Sequence, residues 1–310
     1  MVLKASGTDA VEAAAPAKVN LALLVGPRRA DGYHEIASLM LPVTLADHVR
    51  VEHGGGRGLT VDCAVCPGEE NLAARVVREL EGRLARTFDV RVSISKHVPD
   101  GAGLGGGSSD AAATLMALDR LFGLQLSPRV LHEVATAIGA DVPFFLSPGP
   151  QLAMGRGQVL KQVALPEPLQ VVIAVPDFSL STAQVYGWRD EDAQPAVAEF
   201  TARAARLRAA LDRVREPGDL AALVENDLES SVVARRPAVA ELKQRLLAAG
   251  AYATAMSGSG PCVFGLFADE AAALAARAQL APARTHYVTD LQARPQRPRR
   301  SARQPAPGSK

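Results

Sequence analysis

The stretch Pro99-Asp100-Gly101-Ala102-Gly103-Leu104-Gly105-Gly106-Gly107-Ser108-Ser109-Asp110 decides how the rest of the chain is read. Five of the seven residues from 101 to 107 are glycine. Glycine tolerates positive φ and leaves backbone N–H groups uncovered, so such a loop can wrap closely around an anion. Before it, the alternation of Val90, Val92 and Ile94 predicts a strand over 90–98. After it, an alanine-rich helix is predicted from Ser108 to about Phe122. A helix start offers unpaired N–H groups and the positive end of the macrodipole. Ser108 and Ser109 add two hydroxyls there. A strand, a glycine bend and a helix start, in that order, suit a di- or triphosphate better than a flexible linker.

Three familiar phosphate loops do not fit. The P-loop pattern needs a lysine directly after its last glycine, and none stands there. Gly101, Gly103 and Gly106 satisfy GxGxxG, but Pro99-Asp100 separate them from the strand. In addition, no strand ending in an acid follows the helix, as a dinucleotide site requires. The protein-kinase set of VAIK, HRD and DFG segments does not occur either.

Working outward, Val19, Leu21 and Leu23 predict a strand from Ala17, ended by Gly26-Pro27, with a turn at Ala30-Asp31-Gly32. Further strands are expected at 36–43, 48–52 and 59–63. Leu72, Val76, Leu80 and Leu84 recur every four residues and predict a helix over 71–86. Ser127-Pro128 opens another, with serine as N-cap and proline at the first helical position, running to Gly139. The second half is expected to hold a strand pair at 151–160, a buried strand at 171–175, and helices at 182–190, 197–213, 217–224, 237–249 and 269–279. Strands are expected at 252–255, 262–267 and 285–290. Strands and helices mix without strict alternation, which predicts an α+β protein rather than a doubly wound parallel sheet. Residues 1–13 read as a loose extension. The stretch from Pro295, rich in Pro, Arg, Ser and Gln, reads as a disordered tail.

Bulk composition narrows the partners. Of the 310 residues 48% are hydrophobic and only 4% aromatic, so alanine, valine and leucine must fill the core. A net charge of +1 gives no support to nucleic acid as the main ligand. No apolar run is long enough to span a bilayer, and the first residues lack a secretory apolar segment, so a cytoplasmic protein is expected. The three cysteines do not make a disulfide framework. Cys63-Ala-Val-Cys66 has no second ligand pair for a zinc site. His48, His53, His97, His132 and His286 show no metal-binding spacing.

Two further stretches join the glycine loop, in order: Pro16-Ala17-Lys18-Val19-Asn20-Leu21 and Ser257-Gly258-Ser259-Gly260-Pro261-Cys262-Val263-Phe264. Together the three resemble the signature motifs of the GHMP kinases, named for galactokinase, homoserine kinase, mevalonate kinase and phosphomevalonate kinase. Ala30-Asp31-Gly32-Tyr33-His34 and Gly139-Ala140-Asp141-Val142-Pro143-Phe144-Phe145 narrow the likeness. They resemble the branch that uses ATP to phosphorylate the 2-hydroxyl of a cytidyl diphosphate alcohol in the non-mevalonate route to isoprenoids. A homoserine or mevalonate kinase is the nearest alternative, and a non-catalytic nucleotide-binding protein on the same scaffold is another. The one departure in the loop is Asp100, where methionine is common among relatives.

The resemblance implies a two-lobed α+β fold with the site between an N-terminal domain at 14–155 and a C-terminal domain at 156–294. It implies ATP bound by residues Pro99 to Ser109, with Lys96 and Asn71 on the nucleotide side. Lys18 and Asp141 are the implied catalytic pair. Asn20, Tyr33, His34, Thr182 and Tyr186 are the implied substrate contacts, with Tyr33 and Tyr186 on either face of a cytosine. Without the resemblance, Lys18 reads as a solvated strand lysine, Asp141 as a helix-terminus acid, Asn71 as an N-cap and Lys96 as a surface lysine. Mg²⁺ is expected as counter-ion to the nucleotide, with Ser109 as a candidate ligand. The expected partner is a small molecule, with no nucleic acid and no membrane, and the chain is expected to act as a monomer or a homodimer.

Overall fold

The structure is a computed structural model and describes residues 1, 3–5, 9–192, 195–280 and 286–290. Its first strands are β1 (Leu3–Ala5), β2 (Ala10–Arg28), β3 (His34–His53), β4 (Leu59–Cys63) and β5 (Val90–Ser95). The first helices are α1 (Leu72–Leu84), α2 (Gly106–Leu121) and α3 (Pro128–Ile138). Then come β6 (Gln151–Gly155), β7 (Val159–Gln162), β8 (Gln170–Ala174), α4 (Thr182–Asp192), α5 (Val197–Leu211), β9 (Glu225–Asn226) and α6 (Glu229–Arg235). The chain continues with α7 (Ala238–Ala248), β10 (Ala253–Met256), β11 (Val263–Phe267), α8 (Glu270–Leu280) and β12 (His286–Asp290).

Two sheets organise these elements. The larger has eight strands in the order β1-β2-β3-β5-β4, with β6 added on β3, β7 on β6 and β9 on β2. The smaller runs β10-β11-β8-β12. β2 and β3 form a long antiparallel ribbon, while β4 joins β5 in parallel. The α+β class expected from the mixed pattern is the one found.

Side-chain parity on the ribbon explains where the site lies. Successive strand residues face opposite ways. Val19 and Leu21 on β2, with Leu39 and Leu41 on β3, pack in one cluster with Ile173, Phe264 and Leu266 of the smaller sheet. That cluster also takes in Ala102 and Leu104 of the glycine loop, so the loop is packed against both sheets. Lys18 and Asn20 fall on the other parity and are 3% and 4% exposed. On the far side of the larger sheet, fully buried Ala111, Ala112, Ala113 and Leu115 of α2 share a second cluster with Val49, Val51, Val90 and Val92. Alanine at those positions lets the helix lie close to the sheet, and aliphatic groups replace the missing aromatics as the composition predicts.

Some expectations need correction. Residues 10–13 are not loose: they open β2, and Leu3–Ala5 pairs with them along 11–13. The two strands expected at 36–43 and 48–52 are one, because β3 runs on through 44–47 across a register shift opposite Ala17. The segment 217–224 forms a 3₁₀ helix, Pro217–Leu223, and α6 was not anticipated. A division at 155 would cut the β6–β7 hairpin, both strands of which belong to the larger sheet. The tail from 295 lies outside the described residues.

Candidate active site

The glycine loop reaches α2 through Gly105, whose φ of +71° makes it a left-handed N-cap that supplies no capping side chain. The N–H groups of the first turn are thus left for a ligand. At Gly103 (φ +77°) an added Cβ would stand 2.2 Å from the Ser257 carbonyl oxygen. Only glycine lets the loop seat against the third motif this closely. The contact is knitted by Ser257 Oγ, which donates to the Gly103 carbonyl at 3.1 Å, and by the Cys262 N–H, which donates to Ala102 at 3.3 Å. Asn226 holds the other side, its Nδ2 donating to the carbonyls of Met256 (2.7 Å) and Gly258 (2.8 Å).

Facing the loop, the Lys18 ammonium donates to Asn20 Oδ1 and, at 3.0 Å, to the Gly103 carbonyl. It lies 3.7 Å from Asp141 Oδ2. Asn20 is held in turn, its Nδ2 donating to Ser38 Oγ at 2.8 Å and its N–H to Ser257 Oγ at 3.2 Å. Asp141 stands before the 3₁₀ turn Val142–Leu146, where an acid often caps; its side chain makes no capping bond there. Its carboxylate is therefore half-exposed and directed at Lys18 rather than spent on the backbone.

At the opposite end, His34 is buried and its Nε2 sits 2.7 Å from Asp190 Oδ1. The Tyr186 ring lies 5.0 Å from the His34 ring, tilted by 36°. Burial and then the charge of Asp141 push the Tyr186 phenol above its ordinary value. Tyr33 is 51% exposed, its N–H held by Asp31, and the Arg156 guanidinium rests 3.8 Å over its ring. Thr182 Oγ1 is 3.0 Å from Ser259 Oγ of the third motif.

These groups line one cleft of about 690 Å³. Lys18, Asn20, Tyr33, His34, Asp141, Thr182 and Tyr186 all face it, as do Pro99 to Ser108. Asn71, Lys96 and Ser109 do not. Both ends of the Asn71 side chain are engaged, Oδ1 accepting from Ala73 N–H and Nδ2 donating to the Cys66 carbonyl, so it serves as the N-cap of α1. Lys96 is tied beneath the loop to Asp47 (2.5 Å) and Asp110 (2.7 Å). Burial pushes the Asp110 carboxyl up to about 7; Lys96 opposes the shift and Asp47 adds to it. The Ser109 hydroxyl is buried without a partner, and the serine at the cleft is Ser108.

Sequence reasoning passed over Arg28, Arg156 and Asp190, which also line the cleft. Only Asp190 carried a usable signal: it lies four residues after Tyr186, one turn along the same helix face. Asp47, Asn226 and Ser38 act through tertiary contacts with no local mark. Among the described residues no three His, Cys, Asp or Glu side chains converge as a metal cluster. No helix among them is long and apolar enough to cross a membrane.

Residues 71–149 match the family model for the GHMP kinase N-terminal domain, and residues 204–284 the one for the GHMP kinase C-terminal domain. A protein of Anaeromyxobacter dehalogenans named 4-diphosphocytidyl-2-C-methyl-D-erythritol kinase is 44% identical, covering 84% of this chain and 81% of the relative. A crystal structure of 4-(cytidine 5'-diphospho)-2C-methyl-D-erythritol kinase superposes with a TM-score of 0.74 at 37% identity, over 90% of this chain and 98% of that one. Homoserine kinase from Cytophaga hutchinsonii superposes nearly as well, with a TM-score of 0.73 over 94% of this chain and 97% of that one. At 17% identity it shares the fold.

Proposed function

The chain belongs to the GHMP kinase family, and on that premise we propose that it transfers the γ-phosphoryl group of ATP to the 2-hydroxyl of 4-diphosphocytidyl-2-C-methyl-D-erythritol. The observation that carries this reading is the meeting of Lys18 and Asp141, 3.7 Å apart, beside the open amides of the loop 99–109. The names of the most similar relatives support the choice of acceptor. The paired Tyr33-His34 and Tyr186 at the far end of the cleft give a nucleobase a place that a homoserine or mevalonate acceptor does not need.

Loop amides and the start of α2 hold the nucleotide phosphates. Asp141 accepts a hydrogen bond from the acceptor hydroxyl, which aims its oxygen at the γ-phosphorus. As the new O–P bond forms, the bond to the β–γ bridging oxygen breaks, the hydroxyl proton passes to Asp141 and ADP departs. The Lys18 ammonium lies where it balances charge on both the carboxylate and the transferring group. The Ser108 hydroxyl at the cleft is a hard oxygen donor that would hold a Mg²⁺ brought in with the nucleotide. When bound, that ion would neutralise phosphate charge; the buried Ser109 hydroxyl does not line the cleft.

ADP release measured against a panel of acceptors tests the proposal. Turnover is expected with the cytidyl alcohol and not with homoserine or mevalonate; the reverse pattern defeats it.

A further inference from the structure

The segment Asn226-Asp227-Leu228-Glu229, from β9 to the start of α6, lies outside the cleft lining, yet each of its polar side chains is bonded to an element that forms the cleft. Asp227 accepts from the Val25 N–H of β2 at 2.9 Å and from Arg203 at 2.9 and 2.7 Å. Glu229 accepts from the Met256 N–H at 2.8 Å, and Asn226 donates to the carbonyls of Met256 and Gly258. Asn226 Oδ1 accepts from the Leu228 N–H at 2.9 Å, which fixes the amide plane with both its N–H groups on the third motif. A peptide group is planar and trans, so its N–H points opposite to its C=O. The peptide joining Gly258 to Ser259 presents its carbonyl to Asn226, behind the turn, and so directs the Ser259 N–H the other way. Among the described residues that N–H has no acceptor. Gly258 and Ser259 line the cleft, and a Cβ on Gly258 would stand 3.0 Å from Lys18 Nζ. An unpaired backbone donor therefore lies beside the Lys18 ammonium.

We infer that the Ser259 amide is a further hydrogen-bond donor to the phosphoryl group in transfer, and that Asn226 is the positioning residue that keeps it aimed. Negative charge is spread over the equatorial oxygens of that group as it moves. A donor already fixed in direction meets this charge without reorganising. Asn226 acts through the backbone and touches no substrate, so its contribution belongs to kcat rather than to nucleotide affinity. The inference rests on the reading that the cleft transfers a phosphoryl group from ATP, whichever alcohol accepts it.

Two measurements test it. Backbone ¹⁵N–¹H spectra of the wild-type protein are recorded with ADP and with the non-hydrolysable imido analogue of ATP, which adds the γ-phosphoryl group. The Ser259 amide proton should move downfield with the analogue and not with ADP, while the amides of residues 101–107 respond to both. A Ser259 amide that stays in place while the loop amides respond overturns the inference, and this result needs no variant to fold. Second, kcat and KM are measured for Asn226→Asp with the alcohol that the acceptor panel identifies. This variant keeps the shape of the side chain and the acceptor for the Leu228 N–H, but its carboxylate cannot donate. Its kcat should fall by about tenfold or more, towards the 10²–10³-fold range for losing one preorganised donor. KM for ATP should stay within about twofold of wild type, and the Ser259 shift with the analogue should be lost. An unchanged kcat overturns the inference, as does a fall in kcat with the Ser259 shift retained, which would make Asn226 a structural residue only. Wild-type protein that shows the shift but does not phosphorylate the cytidyl alcohol defeats the choice of acceptor and supports the inference. If neither the loop nor the Ser259 amide responds to nucleotide, the kinase reading and the inference fall together.

Discussion

Lys18 is a buried ammonium, and such a group keeps its place only when its protons find acceptors. Asn20 Oδ1 and the Gly103 carbonyl take two, and the third is free for Asp141 or a phosphate. Asp141 has no comparable structural duty, so Asp141→Asn should leave the fold and ATP affinity intact while kcat drops by about 10²–10⁴, the range of a lost general base. A variant with near wild-type kcat in steady-state assays would remove Asp141 from the chemistry. Asp110 offers a separate test through pH. Its folded value of about 7 lies above the 3.8 of an ordinary aspartate, so between those values the folded state holds a proton that the unfolded state has released. By linkage its contribution makes stability fall as pH rises through that window and level off above it. Asp110→Asn removes the slope, and melting curves at pH 8 should show the variant more stable than wild type by ~1 kcal/mol or more. A wild-type and variant pair with parallel pH profiles would mean that Asp110 is already ionised across the range. Nothing in the sequence marks this acid: it reads as an ordinary first-turn helix residue, and only the fold brings Lys96 and Asp47 to it.

The element that carries the site is the glycine loop, and its shape depends on a second loop about 150 residues away in sequence, which donates to it through Ser257 and Cys262. Gly103→Ala would drive a Cβ into the Ser257 carbonyl and strain a positive φ. It should destabilise the protein by more than about 2 kcal/mol and raise KM for ATP, both readable from melting and initial-rate measurements. An unchanged melting temperature would show that the two loops do not bear on each other. Loop, flanking strand and following helix were all legible in the sequence because each has its own local signal: glycine run, period of two, alanine run. The continuity of β3 was not. Thr44 to Asp47 break its alternation because the chain bulges there, and Asp47 turns inward to accept from the N–H groups of His97 (2.5 Å) and Val98 (2.8 Å). β1 and the first residues of β2 were also hidden, since a short run of small residues looks loose until a neighbour supplies its hydrogen bonds. At the site, the first motif brought Lys18 into view, and the stretches 30–34 and 139–145 brought Tyr33, His34 and Asp141. Asn226 and Asp190 stayed out of it because their partners come from other segments.

At the scale of the molecule, the two sheets share one apolar cluster, and the loop residues Ala102 and Leu104 are part of it. A ligand that fixes the loop therefore acts on the packing between the sheets as well as on the cleft. Val19 and Leu21 from the larger sheet meet Ile173 and Phe264 from the smaller, so opening the interface would expose fully buried apolar surface on both sides. Unfolding in heat should accordingly be one cooperative transition. A non-hydrolysable ATP analogue at a hundredfold excess over its Kd should move that whole transition upward by the equivalent of about 2.7 kcal/mol. Scanning calorimetry with and without the analogue checks both points at once. Two resolved transitions, with only the earlier or later one shifted by the nucleotide, would mean that the sheets melt independently and that the shared cluster does not couple the phosphate loop to the rest of the fold.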